Sequence, residues 1–105
     1  MGLLIALNLY GADKAECEKL FRNAISNFYL ENTCKYDKHI SSKIRKVFEN
    51  QNCEKLFTSD DMKSLNSEVL GNSYKIMNAI GRDAFCQSNK SKYKELENIY
   101  LKKHK

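Results

Sequence analysis

Four cysteines, Cys17, Cys34, Cys53 and Cys86, lie along a chain of 105 residues at successive separations of 17, 19 and 33. Zinc sites usually draw ligands from close pairs, because two side chains on one turn can grip the same ion. No CxxC or HxxxH spacing occurs here. An even number of well-spaced cysteines in a short chain instead suits two disulfides, the staple of small exported domains. The competing reading is four reduced, buried thiols, since free cysteine packs as a small hydrophobe. In either case the chain is long enough for one core and too short for two.

The chain has no proline, no tryptophan and only four glycines, which disfavours collagen-like, turn-rich β and linker-rich architectures. Apolar residues recur at helical steps instead. Cys17, Leu20, Phe21, Ala24, Ile25 and Phe28 form one stripe, predicting a helix from residue 13 to about 32. Ile40, Ile44, Val47, Phe48 and Leu56 predict a second from 38 to about 57, weakened at Glu49-Asn50-Gln51-Asn52. Thr58 stands as an N-cap with Asp61 three residues on, a carboxylate form of the capping box, and Phe57 and Met62 are placed as a hydrophobic staple. Met62, Leu65, Val69, Ile76, Met77 and Ile80 carry this third helix to a bend or end at Gly81. Gly71 interrupts it at about 1 kcal/mol relative to Ala, which suggests a close helix crossing. Tyr93, Leu96, Ile99 and Tyr100 mark a last helix from 88 or 91 to about 103. The expected fold is all-α, a small antiparallel bundle of about four helices.

Helix direction then selects a disulfide pattern. With the first helix running up, Cys17 lies at the bottom and Cys34 at the top. The second descends and leaves Cys53 at the bottom, and the third rises to bring Cys86 to the top. Up-and-down packing therefore favours Cys17–Cys53 and Cys34–Cys86.

At the N-terminus, Leu3-Leu4-Ile5-Ala6-Leu7 is followed by Asn8-Leu9-Tyr10-Gly11-Ala12 and the charged Asp13-Lys14. An apolar run before small residues is the back half of a secretory signal, although no Lys or Arg precedes it and Tyr10 is bulky near the cut. Residues 1–12 are read as a signal-peptide remnant and 13–105 as a single helical domain in the periplasm or outside the cell. A short strand or helix packed on the domain is the alternative.

Catalytic groups are sparse. A nucleophile needs a base beside it, and the histidines are His39 and His104. His39 follows Cys34 by five residues, but a bridged cysteine supplies no thiolate. Asp60-Asp61 are adjacent, diverge around the helix and are accounted for by capping. No phosphate loop, GxSxG or HExxH occurs. The chain is therefore read as a non-enzyme without a cofactor or metal.

The net charge is +5, and it is unevenly spread. Residues 35–58 carry six basic and three acidic side chains, and residues 88–105 carry six and two. Lys43, Arg45, Lys46, Lys90, Lys92 and Lys94 are candidates for a partner-binding basic face. Arginine, the better reader of bases, appears only as Arg22, Arg45 and Arg82, which argues against nucleic acid. An acidic protein partner or an anionic envelope surface fits the charge, and the oligomeric state is left open.

Asn32-Thr33-Cys34 after an amphipathic helix and Gly81-Arg82-Asp83-Ala84-Phe85-Cys86 closing a long one resemble small exported bacterial helical proteins with two disulfides. Type VI secretion amidase-immunity proteins of the periplasm and acid-stress periplasmic chaperones share this style. The immunity resemblance implies a protein that blocks the cleft of a toxic hydrolase with a loop, and no loop here matches that role residue by residue. Two functions follow as expectations: binding of a protein partner, as an inhibitor or immunity protein, or carriage of a lipid or small apolar ligand, suggested by Met62, Met77 and the aromatic residues of the stripes. Two histidines offer few switches near pH 5 for an acid chaperone.

Overall fold

The computed structural model describes residues 13–101. The signal-like residues 1–12 and His104 lie outside them. Four α-helices follow one another: α1 (Lys14–Cys34), α2 (Ile40–Asn50), α3 (Ser59–Ile80) and α4 (Arg82–Tyr100), with a 3-10 turn at Cys53–Leu56 after α2. Cys17 is bonded to Cys53 and Cys34 to Cys86. This is the all-α bundle and the cysteine pairing that the alternating helix directions predict.

Asp13 caps α1 by accepting the backbone N–H of Glu16 at 2.8 Å, and the helix runs to Cys34, two residues beyond expectation. It stops at Lys35, whose φ of 60° is left-handed. His39 repeats that conformation before α2, so a short connection turns the chain back along α1. The single helix expected over 38–57 is corrected. α2 begins at Ile40 and stops at Asn50, and Asn52 takes a φ of 58°. Asparagine tolerates that region better than most residues, and the reversal there brings Cys53 to Cys17. The break rotates Leu56 off the buried stripe, leaving it 41% exposed.

The capping box at α3 forms in both directions. Asp61 N–H donates to Thr58 Oγ1 at 3.0 Å and Thr58 N–H to Asp61 Oδ2 at 3.1 Å. The Thr58 backbone N–H, and after it the Thr58 side chain, hold the Asp61 carboxyl below its ordinary range. Gly71 marks no close crossing, since a Cβ there would meet nothing within 4 Å. Gly81 ends α3 with a φ of 92°, a value that favours glycine. The last helix starts at once, at Arg82 rather than at Ser88 or Ser91, because this one residue completes the turn and Phe85 is already in the core.

Two clusters form the interior. Leu30, Ile40, Ile44, Phe85 and Tyr93 make one, and Cys17, Phe48 and Cys53 the other; Leu20 packs against both. Phe57 and Met62, the expected staple, pack against the second. α1 is the central element, in contact with each of the other helices. The stripe of α3 is only partly covered, with Val69 buried but Ile76 and Ile80 exposed. α3 lies mainly on α1, and among the described residues no further helix covers its outer edge.

A polar node crosses the apolar interior. Glu31 accepts from Ser41 N–H at 3.1 Å, from Ser41 Oγ at 2.5 Å and from the Tyr93 hydroxyl at 2.8 Å. The node thereby links α1, α2 and α4. Burial, and then the Glu31 carboxylate, push the Tyr93 hydroxyl far above its ordinary pKa. Nearby, the Tyr36 ring meets that of Tyr93 at a tilt of 39° with centres 4.7 Å apart, and Tyr36 donates its hydroxyl hydrogen to the Cys86 carbonyl.

Candidate functional site

α2 and α3 both pack on α1, but among the described residues their backbones stay more than 8 Å apart, Cα to Cα. The space between them is a groove of about 740 Å³. Phe21, Ala24, Ile25 and Phe28 of α1 contribute its apolar base; Ser42, Arg45 and Glu49 line it from α2, and Asn66 and Leu70 from α3. The i, i+3, i+4 and i+7 spacing of the α1 residues places all four on one side of that helix. Phe21 is held by an aromatic contact with Phe48, centroids 5.5 Å apart. Phe28 stays 58% exposed.

Charge is ordered along the groove. His39, Thr33 and Glu31 lie toward the end where α1 finishes, Arg45 in the middle of α2, and Glu49 and Glu54 toward the Cys17–Cys53 end; the Glu31 carboxylate is already held by Ser41 and Tyr93. Arg45, Glu49 and Glu54 are exposed. The ion pairs among the described residues belong instead to Arg22, which meets Glu18 at 2.9 Å and Glu68 of α3 at 2.8 Å. The Arg22 guanidinium lowers the Glu68 pKa. This side-chain tie joins α1 and α3 beside the groove.

All six basic residues singled out from the sequence are exposed. Arg45 lines the groove; Lys43, Lys46, Lys90, Lys92 and Lys94 do not. Successive residues turn by about 100° on a helix, so Lys43 projects from roughly the opposite side of α2 to Arg45. Lys90 and Lys94 share one flank of α4, and Lys92 lies on the other. Cys34 is bonded to Cys86 and offers no thiolate to His39. Among the described residues no cluster of three or more His, Cys, Asp or Glu is arranged to hold a metal ion.

Phe28 is the residue that sequence periodicity misplaces. It shares the apolar stripe of α1, but that stripe is wider than the surface its neighbours cover. Asn66, Leu70 and Glu54 carry no motif that would have marked them. Their place in the groove follows only from how α2 and α3 diverge over α1.

The two disulfides indicate an oxidising compartment rather than the reducing cytosol. No helix among the described residues is long and apolar enough to cross a membrane. Comparison with family models, curated proteins and solved structures finds no match to the chain.

Proposed function

We propose that the protein is a non-enzymatic binding module, exported to the periplasm or secreted, that holds a protein partner in the manner of an inhibitor or immunity protein. The observation that supports this reading is the uncovered groove, with Phe28 58% exposed on its base. A large apolar side chain that is left in water and framed by polar groups is a feature of interaction sites. The net charge of +5 favours an acidic partner or approach along an anionic envelope surface. The same groove supports a second reading, carriage of a lipid or small apolar ligand, because its volume of about 740 Å³ falls within the range of small-molecule sites.

Affinity capture from the native envelope with the full chain separates the two. The partner reading expects one protein recovered at a constant molar ratio and competed by added untagged protein. Native mass spectrometry showing a bound amphiphile, with no protein recovered, would replace it with the carrier reading. N-terminal sequencing of the mature protein from its own host tests export, with cleavage near Ala12 expected and a retained Met1 contradicting it.

A further inference from the structure

We propose that the groove between α2 and α3 is the seat of an amphipathic helix of the protein partner, about three turns long. Its apolar edge would lie on Ile25 and Phe28, with a carboxylate opposite Arg45 and a cationic side chain opposite Glu49 and Glu54. This deepens the partner-binding reading and rests on it.

The geometry has the shape of a missing rod. From Phe21 to Thr33, the α1 residues that line the groove span about 18 Å at 1.5 Å per residue, with Phe28 exposed, Phe21 and Ala24 half-buried and Ile25 buried. The backbones of the flanking helices lie on α1 and stay apart from each other, so a rod laid between them meets all three. Amphipathic helices enter such grooves on apolar anchors spaced at i, i+3, i+4 and i+7. Phe28, 58% exposed, is the large apolar surface that such an anchor would cover.

The charge order decides between a helix and an acyl chain. Arg45 and Glu49 stand one turn apart on α2, and Glu54 continues the acidic end. All three are outside the ion pairs of the described residues. A fatty acyl chain brings a single head group and would leave one end of this pattern unmatched. A helix carries side chains of both signs along one flank and can answer both ends at once. Rim charges of this kind contribute more to specificity than to affinity.

The test is a displayed library of helical peptides of about 14 residues, with the apolar stripe varied and Glu, Lys or Ala allowed on the flanks, panned against the full-length protein. Enriched peptides should carry an apolar stripe with Glu and Lys on opposite halves of one flank. Affinity should fall about thirtyfold in Phe28→Asp, the scale of an interface hot spot, and clearly in the milder Phe28→Ala. Both variants should melt as the parent does. Panning against Arg45→Glu, which replaces the groove's arginine by a carboxylate, should shift the winners to Lys along the whole flank. No enrichment, enrichment indifferent to Phe28, or the same charge pattern on Arg45→Glu would each overturn the proposal. So would dodecanoate binding that Phe28→Asp abolishes, with no peptide selected. Capture of the envelope partner equally well by Phe28→Asp would sink the helix seat while leaving the binding-module reading standing; absence of any partner would remove that reading itself.

Discussion

Tyr93 of α4 donates its hydroxyl hydrogen to Glu31 of α1 at 2.8 Å, across 62 residues of sequence. Glu31 also accepts from both donors of Ser41, its N–H and its hydroxyl, so one carboxylate fixes the register of three helices. Replacing Tyr93 with Phe keeps the ring and removes the hydroxyl. Hydrogen bonds to charged groups contribute on the order of 2 kcal/mol, which for a domain of this size lowers Tm by roughly 10 °C. Thermal melts of wild type and Tyr93→Phe measure it, and coincident melts would show the bond to be energetically idle.

Alkaline pH should weaken the fold through the same residue and two others. Burial raises the pKa values of Tyr36 and Tyr100, and burial with Glu31 raises that of Tyr93. A group whose folded pKa is raised gives its full stabilisation below its unfolded pKa, near 10 for tyrosine, and loses it as pH climbs toward the folded value. Stability should therefore fall above about pH 10. Urea midpoints measured against pH test this, and the decline should be shallower in Tyr93→Phe. A flat profile through the alkaline range would contradict it.

The two disulfides should open in sequence. Cys17 and Cys53 are fully buried, at 0% exposure, whereas Cys34 and Cys86 are half-buried. A dithiol reductant must reach sulfur to attack it. Limited reduction of the folded protein, followed by alkylation and peptide mass mapping, should label Cys34 and Cys86 first. Removal of either bridge as a double Cys→Ser variant should cost about 2–4 kcal/mol. Earlier labelling of Cys17 and Cys53 would reverse the assigned order of access.

Two glycines should respond with opposite sign. Gly71 is helical and exposed, and a Cβ there meets nothing, so Gly71→Ala should stabilise by about 1 kcal/mol. Gly81 has a φ of 92° and a ψ of 153°, a region that is costly for any residue with a Cβ, so Gly81→Ala should destabilise by about 1–3 kcal/mol. Urea midpoints of the two variants should move apart on either side of wild type. Equal shifts would contradict the conformations assigned to both.

What could be read in advance depended on local chemistry. Thr58 and Asp61 announce a helix start because both halves of the capping box lie within one turn. The Cys17–Cys53 and Cys34–Cys86 pairing was legible because it needs only alternating helix directions. The break at Gln51 and Asn52 was only half visible, as a weak stretch, since the turn also brings Cys53 back to Cys17. The groove was not visible at all. Phe28 sits in a regular apolar stripe, and periodicity cannot distinguish a covered position from an uncovered one. Likewise the net charge shows that Lys43 and Arg45 are basic, but not that they project from different sides of α2.

Both disulfides have one end in α1, at Cys17 near its start and Cys34 at its finish, whereas α3 contains no cysteine and buries only Val69. One bridge fastens the start of α1 to the turn after α2, and the other fastens its finish to α4. Of the two walls of the groove, α2 is thus stapled covalently beside its end, whereas α3 is kept in place by packing and by the Arg22–Glu68 tie alone.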